Sequence, residues 1–142
     1  MSTPSDVPQP PVDASAARDR LEQPPVDASA ARDRLEALRT TTLARLDALQ
    51  REHTAVVDAS RDSNADDEHD PEGATIAFER AQVDALARDA SDRLRSVELA
   101  LARLEAGTYG VCAVCGTAIP EGRLEARPTA TTCVTCAARQ GT

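Results

Sequence analysis

The chain has 142 residues, a net charge of −8, no Trp, and one each of Phe, Tyr and Met. So few bulky side chains exclude a large globular core and favour long helices of Ala, Leu, Arg and Glu plus a small stapled module. The 24 carboxylates against 16 arginines and no lysine exclude a general phosphate-backbone binder, which needs clustered cations, and suit a basic surface or a bound cation.

The first residues, MSTPSDVPQPPVDASAARDR, offer neither a basic start nor an apolar run, so they are not read as a signal peptide or membrane anchor. No stretch approaches the roughly 20 apolar residues of a spanning helix. A cytoplasmic location follows as the expectation, and there C-x-x-C pairs more often hold metal than disulfides. The segment QPPVDASAARDRLE stands at 9–22 and again, letter for letter, at 23–36. It reads either as a spacer or docking tail, or as a slip of the coding sequence in a tolerant region. Pro pairs and small polar residues resist packing and speak for the slip. Residues 1–26 are expected to be a disordered tail. The second copy is expected to run into the next helix, with Asp27 as its N-cap.

A helical hairpin is expected over 27–107. In its first arm, to about Ser60, Leu35, Leu38, Leu46, Leu49 and Val56 recur at helical spacings, with Leu43 and Val57 beside them. In the second arm, Ile76, Val83, Leu86, Ala90, Leu94, Val97, Leu101 and Leu104 mark one face. Asp70 suits the cap of that arm, Pro71 its first position and Gly107 its end. Two amphipathic arms joined by a short polar loop make an antiparallel, coiled-coil-like pair. The short loop favours pairing within one chain.

The tip loop, 62–73, carries six carboxylates: Asp62, Asp66, Asp67, Glu68, Asp70 and Glu72. At the end of a thin hairpin they form a negative probe or a merely solvated loop. A calcium loop is excluded, because Asp67 stands where Gly is required and Gly73 where the bidentate Glu would be.

All the sulfur of cysteine lies in 108–142, in the pattern C-x2-C-x17-C-x2-C: Cys112, Cys115, Cys133 and Cys136. Two C-x-x-C turns supply four thiolates to one tetrahedral Zn²⁺, and Gly116 after Cys115 permits a tight knuckle. Two disulfides, a redox pair or iron are the competing readings. A full four-thiolate sphere makes the zinc structural and leaves no free thiolate for catalysis. His53 and His69 stand alone, and the chain is not read as an enzyme. Region 107–142 holds three arginines and two carboxylates. A Zn(Cys)4 centre of formal charge about −2 turns it slightly negative, against a finger that grips DNA. Arg123, Arg127 and Arg139 offset that charge or serve solubility. Tyr109 and Ile119 are expected to pack the finger.

The stretch YGVCAVCGTAIPEGRLEARPTATTCVTC resembles the C-terminal zinc finger of the DksA/TraR family of bacterial transcription regulators. The matching features are Tyr109–Gly110, C-x-x-C-G at Cys112 to Gly116, R-L-x-A-x-P at Arg123 to Pro128, and C-x-x-C at Cys133 to Cys136. With the hairpin, the likeness extends over roughly 35–140. It implies direct binding to RNA polymerase rather than to promoter DNA. The coiled coil would enter the secondary channel, with acidic tip residues near the catalytic region, often together with the nucleotide ppGpp. The family's Asp-x-x-Asp-x-Ala tip maps onto Asp67 and Asp70, with Glu72 where Ala is expected and Ala74 aligning instead through DPEGA. Only six residues follow Cys136, so the family's C-terminal helix is expected to be very short or absent. The other functional reading is a zinc-stabilised helical adaptor for a different protein.

Overall fold

Asp27 starts the first helix. Its Oδ1 accepts the N–H groups of Ser29 and Ala30 at 3.0 and 3.1 Å, pairing two donors that a bare helix end leaves open. From this cap α1 (Ala28–Asp62) runs for 35 residues, about 50 Å at 1.5 Å per residue. The computed structural model of the chain describes residues 26–62 and 71–141. In it α1 is followed by α2 (Pro71–Glu105), α3 (Glu121–Ala126) and α4 (Val134–Gln140). The expected architecture stands: two long antiparallel helices, then a small four-cysteine module. Among the described residues the one strand-like feature is an isolated antiparallel bridge between Val111 and Ala118.

Residues 1–25 of the expected tail and the carboxylates Asp66, Asp67, Glu68 and Asp70 lie outside the described residues, as do the cap expected at Asp70 and the side chain of Glu72, whereas Val26, the last residue assigned to the tail, packs against the core at the hairpin base. The tip loop is shorter than 62–73, because α1 reaches Asp62 and α2 already begins at Pro71. Proline suits a first helical position: its φ is preset, and the N–H it lacks would be unpaired there. Glu72 and an exposed Ala74 therefore belong to the first turn of α2.

The seam follows the heptad arithmetic of a coiled coil. On α2 the inward positions are Val83, Ala87, Ala90, Leu94, Val97, Leu101 and Leu104, in alternating steps of four and three, all buried or half-buried. Leu86 falls one residue off this line and is 37% exposed. Ala87 takes the inward place expected for it. On α1 Ala31, Leu35, Thr42 and Leu49 are buried. Thr42, a polar residue in the seam, is 3% exposed and donates its hydroxyl to the Leu38 carbonyl at 2.7 Å, so its own buried oxygen is paired.

Two buried clusters result. The distal one is small: Leu49, Val83 and Ala90, flanked by Leu46 and Ala87. Beside it His53 Nδ1 lies 2.9 Å from Asp84 Oδ1 but out of hydrogen-bond alignment, and further along Val56, Val57 and Ile76 are half-buried. The larger cluster lies at the base and is shared. Ala31, Leu35, Val97 and Ala100 pack with Tyr109, Cys112, Ile119, Leu124 and Cys136. The finger and the hairpin base thus have one core between them.

The joint between them is short. α2 ends in a Schellman motif: Thr108 N–H reaches Arg103 O at 2.9 Å and Gly107 N–H reaches Leu104 O at 3.3 Å, with Gly107 at φ 74. Tyr109 N–H also donates to Arg103 O at 3.2 Å. Gly110, at φ 81, sits under Val26, and a Cβ there would lie 2.7 Å from Val26 Cγ2. Gly110→Ala is therefore expected to destabilise the protein by about 1–3 kcal/mol through overpacking. Gly73→Ala, at a helical position with nothing within 4 Å, is expected to be neutral or stabilising by up to about 1 kcal/mol. Urea denaturation of both variants checks the opposite signs.

Candidate metal centre

The first knuckle is built on backbone hydrogen bonds. Cys112 N–H donates to Thr117 O at 2.8 Å, and Gly116 N–H returns to Cys112 O at 2.9 Å, closing the turn that carries Cys115. Gly116 has φ 70, the left-handed value anticipated for it. Ile119 N–H to Gly110 O, at 2.7 Å, closes the small hairpin around the knuckle.

The second knuckle is a helix start. Cys133 is the N-cap residue of α4, and Cys136 lies buried in its first turn. Two contacts join the knuckles: Ala113 N–H to Thr131 O at 2.8 Å and Cys133 N–H to Cys112 Sγ at 3.3 Å. The four Sγ atoms all lie within 4.8 Å of one another, with Cys115 and Cys133 at 3.8 Å.

The segment between the knuckles is held by side chains that donate to carbonyls. Tyr109 Oη donates to Pro128 O at 2.7 Å, Arg123 Nε to Thr132 O at 2.8 Å, and Arg103 Nη2 to Ala130 O at 3.3 Å. The Arg103 guanidinium also stands 6.0 Å from the Tyr109 ring centre, within cation–π range. Leu124 of α3 is fully buried. Tyr109 and Ile119 are buried as expected, but in the shared core. Arg123 is a backbone clamp as well as a positive charge. Leu124, Arg103 and the Arg123 clamp were not singled out as structural from the sequence. The signal for Leu124 was present in the R-L-x-A-x-P motif.

The sulfurs are electrostatically unequal. N–H groups of Cys115 and Cys133, with a smaller share from Val114, point at Cys112 Sγ and hold its thiol down at about 6. Thr117 hydrogen-bonds Cys115 Sγ at 2.9 Å and lowers that thiol too. Cys136 is pushed up to about 12, first by its contact with Cys133, then by burial and by Cys115 and Cys112. Four thiolates this close repel one another, and a cation among them removes the conflict.

The geometry fits zinc. A Zn–S bond of about 2.3 Å implies tetrahedral S···S edges of about 3.8 Å. The Cys115–Cys133 separation has that value, and the remaining ones need only small closure. Four thiolates fill the sphere, so the ion is one structural Zn²⁺ with no open position.

Residues 107–140 match the prokaryotic dksA/traR C4-type zinc finger family. The chain carries a DksA/TraR zinc finger. Two relatives match part of the chain. The uncharacterized protein YteA of Bacillus subtilis is 46% identical over 69 residues, 49% of this chain and 29% of its own length. An uncharacterized protein of Aquifex aeolicus is 50% identical over 44 residues, 31% of this chain and 30% of its own. The matched segments thus span under a third of either relative. In fold, the chain is similar to the transcription factor DksA2 from Pseudomonas aeruginosa, with a TM-score of 0.54 and 24% identity over 89% of this chain and 95% of that one. Among the described residues no helix is long and apolar enough to cross a membrane.

The DksA/TraR finger is expected to bind one zinc per chain, and cobalt substitution to give a tetrahedral thiolate spectrum. Chelation or Cys136→Ser should abolish the near-UV signal of Tyr109 and melt the helices at the hairpin base, since both share the core with Cys112 and Cys136. Tyr109→Phe should keep the zinc and cost about 1 kcal/mol, the loss of one hydrogen bond.

Proposed function

We propose that the protein is a non-catalytic transcription regulator that binds RNA polymerase through protein contacts, with the hairpin reaching into the secondary channel and the acidic tip at its end. The observation that carries this reading is the union of a DksA/TraR finger with a thin two-helix arm of 35 residues per helix. Such an arm, about 50 Å long and only two helices wide, suits entry into a narrow channel. The carboxylates Asp67, Asp70 and Glu72, with Ala74 beside them, are the tip residues assigned to this role. The strongly acidic middle of the chain supports a partner that is a basic protein surface and not DNA.

A groove of about 600 Å³ between hairpin and finger is lined by Arg93, Arg123 and Arg127, with Leu38 and Thr132. Its guanidiniums suit a polyphosphate and support ppGpp as a co-ligand in the polymerase complex. The site of action would be the cytoplasm.

Binding of the zinc-loaded protein to purified core polymerase, with no DNA present, tests the reading. Saturable binding competed by a secondary-channel factor is the expected result. Asp67→Asn/Asp70→Asn should retain binding and lose most of the transcriptional effect; if the double variant regulates like the parent, the tip mechanism is wrong. Capture of a different defined partner, with no polymerase binding at micromolar concentrations, would establish the adaptor reading in its place.

A further inference from the structure

The duplicated segment acquires a meaning from where its second copy lies. Much of what fixes the start of α1 to α2 and the finger comes from residues 26–35, with Leu38 beside them. Val26 packs over Gly110 and against the Leu124 side. Asp27 caps the helix. Ala31 and Leu35 are 1% and 0% exposed in the shared core. Arg32 pairs with Glu105 and Arg34 with Glu125, each at 3.6 Å. The first copy repeats those from 26–35: Val12, Asp13, Ala17, Arg18, Arg20 and Leu21 stand 14 positions earlier in identical order.

A surface that recognises residues 26–35 has no chemical means of telling them from residues 12–21. We infer that the finger–hairpin base is a docking surface for either copy, and that residues 12–21 are a second, intramolecular occupant of it. What separates the two copies is the chain that follows. After the second copy comes Ala37–Leu38, and the helix continues unbroken into the seam. After the first comes Gln23-Pro24-Pro25, and proline inside a helix removes a hydrogen bond and clashes with the preceding turn. The second copy therefore holds the surface in the parent chain. The first takes it when the second is damaged or pulled away, with residues 23–36 looped out. Closing a loop of that size is entropically affordable, since the cost grows only with the logarithm of length.

The test uses the full zinc-loaded chain and three variants: Leu35→Asp, Leu21→Asp and the double substitution. Tyr109, the chain's single tyrosine, reports the shared core by near-UV circular dichroism. Hydrogen exchange reads the amides of residues 15–22, and the substitution at 35 gives the two otherwise identical peptides different masses. Leu21→Asp should match the parent. Leu35→Asp should keep the Tyr109 signal and slow exchange over 15–22 at least tenfold relative to the same peptide of Leu21→Asp, where the substitution again sets its mass apart. The double variant should lose the Tyr109 signal. Equal behaviour of Leu35→Asp and the double variant, whether both fold or both fail, overturns the inference. Protection over 15–22 that grows with protein concentration and accompanies a sedimenting dimer also overturns it, by assigning the occupant to a second chain.

Discussion

The convergence of four sulfurs on one point is the constraint on which the other features depend. Residues 108–141 bury only Tyr109, Ile119 and Leu124 as large side chains apart from their cysteines. So small a core does not order a segment by burial alone. Metal coordination supplies the missing free energy. The same convergence reaches further, because Cys112 and Cys136 belong to the cluster that buries Leu35 and Val97. The hairpin base is therefore stabilised by a metal that none of its own residues touches. Its distal cluster, three buried residues with Ala90 among them, has no such support.

Around the metal, polar side chains take over the work that bulky apolar ones perform in larger domains. Tyr109, Arg103 and Arg123 each donate to a carbonyl between the knuckles, at Pro128, Ala130 and Thr132. These donors pair main-chain oxygens that would otherwise need water or secondary structure. Arg103 belongs to α2, so one of the three clamps crosses from hairpin to finger. A chain nearly free of aromatics achieves rigidity here by directed hydrogen bonds to backbone.

Much of this was legible in the sequence, because the signals are local. Asp27, Pro71, Gly107 and Gly116 announce their roles through capping and turn chemistry that depends on a few neighbours. The cysteine spacing announces the metal. The seam was legible in outline and misplaced at Leu86, since the choice between positions 86 and 87 rests on the twist of a partner helix. Ala31, Thr42 and Ala100 were missed for a related reason: small or polar residues become core only where two backbones approach closely. The fusion of finger and hairpin into one core was not legible. It depends on Val26 meeting Gly110 across 84 positions of chain, and no periodicity encodes that meeting. The acidic loop is shorter than 62–73 because α1 reaches Asp62 and α2 begins at Pro71, the position its proline chemistry had marked.

The joint at Gly107 also has a mechanical consequence. Thr108 and Tyr109 both donate to the carbonyl of Arg103, and Arg103 in turn grips the loop between the knuckles. The last turn of α2 and the finger therefore pivot as one piece. An arm of about 50 Å mounted on such a piece behaves as a lever: a tilt of about 5° at the zinc module would swing the far end of the hairpin through about 4 Å over that length. Whatever seats the finger aims the tip.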